Sequence, residues 1–135
     1  MERTSLITRL LISEADNFDL LDIIDEIPTQ ASLDTYFLPA PLILEQADLK
    51  ESSKDSEQGE LIERSARANI HRDSDFYKQW IGKELLLYIE TANGERHFIG
   101  SDEIPVLYSY SRDSGSGNSD SRSTAMIFSQ TIPYN

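Results

Sequence analysis

The chain has 135 residues, a formal net charge of −12, 39% hydrophobic residues and no cysteine. This length predicts a single domain over residues 1–135, and the lack of cysteine excludes disulfides and thiolate metal sites. Binding to phosphate needs concentrated positive charge, so the composition argues against nucleic acid and anionic membrane as ligands. No apolar run approaches the ~18 residues that span a bilayer, and the N-terminus lacks the form of a signal peptide, so a soluble protein of the cytoplasm is expected.

The first elements are an apolar run and an acidic stretch. Residues 5–13 alternate in a way that favours a strand over a helix. In residues 14–28, Phe18, Leu21 and Ile24 at helical spacing compete with a short strand over residues 20–24, and both readings end at Pro28. The sequence leaves this choice open.

Two prolines shape the next part of the chain. Pro39 and Pro41 exclude a helix through their positions, so residues 36–38 are predicted as an edge or bulged strand and residues 42–47 as a regular strand. Residues 49–59 are Ser-rich and charged, which predicts an exposed loop.

A long strand and a short helix are predicted next. Residues 60–72 place Ile62, Ala66, Ala68 and Ile70 on one side, which favours a strand with small residues inward over the alternative helix. Residues 73–81 form the best helix candidate, because an Asp or Ser can cap the first turn and Phe76 contacts Trp80 at i and i+4. Gly82 is a typical helix end.

The central feature of the sequence is a hairpin over residues 83–101. Asn93 and Gly94 between two alternating runs predict a two-residue turn with positive φ at both positions. Tyr88 then faces Ile99, and Glu90 faces His97. The face of this hairpin that is predicted to lie in the core consists of Leu85, Leu87, Ile89 and Phe98. The second face, which is predicted to be partly covered, consists of Leu86, Tyr88, Glu90, His97 and Ile99.

The C-terminal part predicts two more strands around a loop. A turn leads into a strand at residues 106–111, and a Gly/Ser-rich, mobile loop is predicted at residues 112–123. A final strand is predicted at residues 124–131, with Pro133 preventing further pairing. About seven strands and one short helix indicate a mainly β fold, an antiparallel β-sandwich or barrel with one helix packed on it.

Each candidate for chemistry has a simpler structural explanation. Glu90 opposite His97 suits an acid/base pair. A position beside a turn instead favours an exposed ion pair, which contributes little to stability. His71 has no partner at metal-ligand spacing. Two sets of residues could bind a cation. The first is Asp113, Asn118 and Asp120, but its spacing is not that of an EF-hand and a plain flexible loop is favoured. The second is Asp16, Asp19, Asp22, Asp25 and Glu26, for which a solvated acidic face is the commoner explanation.

Nucleophile and phosphate-loop motifs do not occur in the sequence. No enzyme, cofactor, metal or small-molecule substrate is therefore expected. The charge suggests a different activity, because residues 1–60 carry 14 acidic and 4 basic residues. Solubility is the simplest explanation of this excess, and an acidic interaction module or DNA mimic that binds a basic partner is the functional alternative.

Several stretches taken together resemble small structural proteins encoded in prophages of gut bacteria, of the phage tail type. The similarity is carried by EADNFDLLDIIDEI, SEQGELIERSARANIHRDSD, IGKELLLYIETANGERHFIGSDEIPVLYSYSRDSGSG and NSDSRSTAMIFSQTIPYN. The resemblance covers most of the chain and is densest over residues 83–135.

The resemblance implies a non-enzymatic virion component that self-associates by joining sheet edges, with copies of itself or other virion proteins as partners. It implies residence in the bacterial cytoplasm before assembly and in the virion afterwards. The subunit interface expected from the second face of the hairpin and the Gly/Ser-rich loop consists of Leu86, Tyr88, Ile99, Arg112, Asp113, Gly115, Asp120 and Arg122.

Overall fold

A computed structural model describes residues 2–57, 59–112 and 123–134, and these residues are mainly β. Their strands are β1 Glu2–Glu14, β2 Ile23–Ile24, β3 Ile27–Pro28, β4 Leu38–Pro39, β5 Leu42–Ser56, β6 Gly59–His71, β7 Leu85–Thr91, β8 Arg96–Ile99, β9 Leu107–Arg112 and β10 Ser123–Tyr134. The helices are short: a first 3-10 helix Ala15–Leu20, α1 Gln30–Tyr36 and a second 3-10 helix Phe76–Trp80.

The strands form one curled antiparallel sheet, a half-barrel, with the order β8-β7-β1-β5-β6-β10-β9. Strand β4 pairs with β1 beside this path, and β2 and β3 form a separate small hairpin. A single bridge between Leu85 and Val106 brings the chain ahead of β9 back to β7. The predicted mainly β class is confirmed, although the described residues contain more strands and more short helices than expected.

Strand β1 connects the two halves of the sheet. Its first part, Glu2 to Leu6, pairs with β5, and its second part, from Ile7 to Glu14, pairs with β7. The register shifts between Ile7 and Arg9, which is a bulge that bends the strand. The predicted strand over residues 5–13 is therefore confirmed, and it extends at both ends.

The concave face of the sheet holds the larger core, which we call the inner core. Two small side chains, those of Ala47 and Ala68, pair with each other at its centre. Met126 pairs with Ala68 from the strand on the other side. Tyr77 and Trp80 of the second 3-10 helix pack into one end. The small inward residues predicted for β6 are confirmed at Ala66 and Ala68.

A second core, which we call the outer core, lies on the convex side of β1 and β7. Leu11, Leu86 and Tyr88 pack there against Leu33 and Phe37 from α1 and the segment that follows it. Phe18 of the first 3-10 helix and Leu21, the residue after that helix, are partly buried against this core. Strand β7 is thus buried on both faces, which explains why its sequence is a continuous apolar run rather than an alternating one.

The acidic stretch at residues 14–28 is neither one helix nor one strand. It forms the first 3-10 helix and then the β2–β3 hairpin. The predicted strand at residues 36–38 is wrong at Tyr36, which ends α1. The hydroxyl of Thr29 accepts the Ser32 N–H at 3.3 Å and caps that helix, so a short helix forms just ahead of the prolines.

The loop predicted at residues 49–59 is wrong. Strand β5 continues to Ser56 and pairs with β6, and Ser56 faces Gly59 at the turn. Polar side chains are tolerated here because the hairpin runs beyond the part of the sheet that covers the core. The strand predicted at residues 60–72 is confirmed as β6.

The helix predicted at residues 73–81 is a shorter 3-10 helix. The rings of Phe76 and Trp80 lie 5.8 Å apart, as expected, and Ser74 Oγ accepts the Phe76 N–H at 3.3 Å. Gly82 follows with φ 78°. The spacing predicted a longer α-helix. The segment instead forms a short 3-10 helix whose aromatic side chains contact the sheet.

The final strand is longer than predicted. Strand β10 pairs with β6 along its whole length, including Pro133 opposite Leu61, so the proline does not stop the pairing. Most of the Gly/Ser-rich loop predicted at residues 112–123, namely residues 113–122, lies outside the described residues.

The hairpin at residues 83–101 forms with a different register. Leu87 faces Ile99 and Tyr88 faces Phe98, one position away from the predicted pairing. The connection has three residues, 92–94, and of these only Gly94 has positive φ, at 87°. Phe98 and Ile99 therefore exchange faces: Ile99 lies in the inner core, and Phe98 packs against the outer core.

Candidate functional site

Four polar side chains form a row across the concave side of the sheet, which we call the charged row. Arg3 of β1 faces Glu51 of β5, Glu51 faces Arg64 of β6, and Arg64 faces Gln130 of β10. Residues directly opposite in a ladder point to the same face, so the four side chains are neighbours. The row marks the end of the apolar core, because Leu49, Ala66 and Phe128 lie one row further in.

Two residues of the β7–β8 hairpin cover the charged row. Glu95 accepts a hydrogen bond from the Arg3 guanidinium, and this bond lowers the pKa of Glu95. His97 Nδ1 lies 3.8 Å from Glu51 Oε1, and His97 Nε2 lies 3.7 Å from Glu95 Oε1. The ion pair between Arg3 and Glu95 connects the hairpin to β1.

Two buried polar atoms beside the charged row have no hydrogen-bond partner among the described residues. They are Nε2 of His97 and Oε1 of Gln130. The other end of the Gln130 amide is satisfied, since its Nε2 donates to the carbonyl of Ile104 at 2.7 Å. Arg64 Nε and Glu51 Oε2 are 3.6 Å apart, which is an ion pair without a short hydrogen bond.

The predicted pairing of Glu90 with His97 across the hairpin does not form. Glu90 faces Arg96 in the ladder, because the register differs by one residue from the predicted one. Its carboxylate accepts hydrogen bonds from Tyr88 Oη at 2.7 Å and from Arg9 Nη1 at 2.9 Å. The Tyr88 hydrogen bond lowers the pKa of Glu90, and Arg9 adds to this effect.

On the convex side, Tyr88 contacts the charged side chains of Glu90, Arg96 and Arg9. Its hydroxyl donates to Glu90 and accepts from Arg96 Nε at 2.8 Å, while its ring is buried. The guanidinium carbons of Arg96 and Arg9 lie 5.5 and 6.0 Å from the ring centroid. Burial raises the pKa of the Tyr88 hydroxyl, so it stays a proton donor. The arrangement stabilises the sheet, and every charged group in it has a partner.

A polar cavity of about 280 Å³ lies between the β2–β3 turn and β8. Its lining includes Asp25 and Glu26 of the turn, Arg96 and His97 of β8, and Arg64 of β6. Asp25 and Glu26 both have positive φ, 53° and 67°, in the two-residue turn between β2 and β3. This turn conformation normally favours Asn and Gly.

The structure describes four of the eight residues predicted as a subunit interface, and they lie in different surroundings. Leu86 and Tyr88 are buried in the outer core, and Ile99 is buried in the inner core. Arg112 is exposed; its Nη2 donates to the carbonyl of Arg72 at 3.0 Å. The remaining four residues of that prediction lie outside the described part of the chain: Asp113, Gly115, Asp120 and Arg122.

The candidate cation sites give no metal centre in the described ranges. No group of three or more His, Asp or Glu side chains there is arranged to hold a metal ion. The acidic residues of residues 16–26 do not share one helix face, because Asp16 and Asp19 lie on the first 3-10 helix while Asp25 and Glu26 lie on the β2–β3 turn. The loop set Asp113, Asn118 and Asp120 falls outside the described residues.

The charged row was not anticipated from the sequence. Glu51 fell in a segment predicted as a loop, so its pairing with Arg3 and Arg64 could not be proposed. Residues 50–56 are all polar, so no apolar alternation marks this part of β5 in the sequence.

Comparison with known protein families, with curated proteins and with solved structures found no match. Among the described residues, no helix has the length and apolar character needed to cross a membrane.

Proposed function

We propose that this protein is a non-enzymatic assembly subunit that self-associates through the edges of its sheet. The observation that carries the proposal is that β8 and β9 stand at the two ends of the strand order, each paired with a single strand among the described residues. An edge strand presents unpaired N–H and C=O groups to any strand that approaches it.

The side chains of β9 support this role. Leu107 and Tyr110 are exposed on this strand, and its sequence carries no charge before Arg112. Natural edge strands are commonly protected by charged residues or proline. An unprotected edge favours addition of a further strand, in which main-chain hydrogen bonds supply the affinity.

Joining an edge of one copy to a different edge of the next is a heterologous contact, which generates a closed ring or a helical array. Phage tail and related virion proteins assemble in this way, and the sequence resemblance is the support for placing the chain among them. Copies of the chain or other virion proteins are then its partners, first in the bacterial cytoplasm and later in the virion.

Light scattering during size-exclusion chromatography, together with negative-stain imaging, tests the proposal. We expect the mass to rise with protein concentration and rings or tubes to be visible. Leu107→Lys places a charge on the β9 edge and should reduce the assembled fraction. Leu44→Lys is the matched control, because Leu44 is exposed on the bulged part of β5 and away from both sheet ends. A strictly monomeric wild type at high concentration would contradict the proposal.

A further inference from the structure

Residues 19–26 expose three aliphatic side chains among four carboxylates. Leu20, Ile23 and Ile24 are 57%, 38% and 66% exposed. Large aliphatic side chains with this exposure are ordinary singly, but here three occur within five residues. We call the following residues the acidic-aliphatic patch: Asp19, Leu20, Asp22, Ile23, Ile24, Asp25 and Glu26, of which all four carboxylates are exposed.

The patch belongs to a fixed segment. Phe18, Leu21 and Ile27, which lie between or beside the patch residues, pack against the outer core. The backbone of Asp22 is held at both ends, since its N–H donates to Ser32 Oγ at 2.9 Å and its carbonyl accepts the Thr29 N–H at 2.8 Å. The exposed side chains are therefore presented from a backbone tied to α1.

The four carboxylates of the patch form no ion pair among the described residues. The chain contains no Lys or Arg between Arg9 and Lys50. Arg64 and Arg96 line the cavity beside the β2–β3 turn, but the ion pairs of the described residues involve other carboxylates. The patch therefore combines exposed apolar area with a concentrated negative charge.

We propose that the acidic-aliphatic patch is a docking surface for a cationic amphipathic segment of a different protein. A partner with an aliphatic or aromatic stripe would cover Leu20 and Ile24, the two most exposed of the three, and flanking Lys or Arg side chains would face the carboxylates. Charge complementarity selects this occupant. An anionic membrane is repelled, and a second copy of this chain is also acidic. This surface is separate from the sheet edges proposed for self-association.

Fluorescence anisotropy with a labelled amphipathic helix of alternating Leu and Lys faces tests the docking surface. We expect saturable binding that weakens as salt is raised, because the charges are exposed and screened. The double variant Leu20→Ser, Ile24→Ser should weaken binding by about tenfold or more. The variant Asp22→Asn, Asp25→Asn should weaken binding and reduce its salt dependence.

The matched control is Leu44→Ser, which removes an exposed leucine elsewhere and should leave the affinity unchanged. All substituted side chains are exposed, and thermal melting checks that each variant remains folded. A Lys peptide without Leu should bind more weakly than the amphipathic one. The proposal is overturned if the two peptides bind equally, if Leu44→Ser weakens binding as much as the patch variant, or if the amphipathic peptide does not bind.

Discussion

Leu87 lies directly opposite Ile99 in the ladder between β7 and β8, and both side chains are buried in the inner core. This pairing follows from a three-residue connection in which Gly94 alone has positive φ. A type I turn followed by a residue in the left-handed conformation is a common hairpin connection of this length. One added loop residue shifts the register, and the shift decides which side chains of β8 enter the core.

Gly94→Ala should destabilise the protein by about 1 kcal/mol or more, because a side chain at positive φ is strained. No atom lies within 4 Å of the position that a Cβ would occupy there, so the effect is one of backbone conformation alone. Urea unfolding measures it. Ala92→Ser in the same loop is the control and should change stability by less than about 0.5 kcal/mol. Equal stability of Gly94→Ala and the wild type would contradict the assigned loop.

Tyr88→Phe should lower the free energy of unfolding by about 1–2 kcal/mol, since the hydroxyl bridges the charged groups of Arg96 and Glu90. The ring and its packing are retained in this variant. Tyr110→Phe provides the comparison: the Tyr110 ring lies 4.8 Å from that of Tyr77, and the variant keeps this contact. Thermal unfolding of both variants should show a clear loss only for Tyr88→Phe.

Acid should weaken the fold through Glu90. The hydrogen bond from Tyr88 holds the pKa of Glu90 below the ordinary value of 4.5. The folded state therefore binds this proton less tightly than the unfolded state does. The resulting stability is present above about pH 4.5 and is lost as the pH falls through the lowered folded pKa.

Urea unfolding from about pH 7 to about pH 3 measures this dependence. Glu90→Gln should flatten the decline below about pH 5, whereas Glu84→Gln, at an exposed position, should follow the wild type. A decline of the same steepness in Glu90→Gln and in the wild type would show that the Glu90 network does not contribute.

Ala68→Leu should destabilise the protein by about 1–3 kcal/mol, because it adds volume to a closely packed core. Ala68 is fully buried between Ala47 and Met126 on the neighbouring strands. Ala31→Leu on the exposed side of α1 adds the same volume where space is open, and it should be nearly neutral. Chemical unfolding of the pair compares the two sites directly, and similar stabilities would contradict the close packing.

The sequence predicted those elements whose apolar pattern is set by one buried face. Strand β6 was predicted because Ala66, Ala68 and Ile70 alternate with polar residues over a long run. Strand β5 beyond Asp48 was missed because its polar residues pair in a ladder outside the core, where main-chain bonds rather than burial hold the strand. Helix α1 was missed because only Leu33 is a large buried residue within it, and its Thr29 cap lies in a polar context.

The candidate site was less predictable for the same reason. Predicting a charged row across four strands requires knowledge of the register in three ladders. A single sequence does not specify the register between distant strands. Glu90 and His97 were correctly placed on neighbouring strands of one hairpin. Their side chains nevertheless point to opposite faces, because the loop has one residue more than the predicted turn.

The position of β1 in the sheet has a consequence for synthesis on the ribosome. Its second half cannot pair with β7 until about 70 or more further residues have been made, since Glu14 pairs with Leu85 and Ile7 with Thr91. At ~5–20 residues per second this delay is of the order of 4–15 s. During that time the apolar side chains of Leu10, Leu11 and Ile12 emerge without their partner strand, and they offer a binding segment to a chaperone that recognises extended apolar chain.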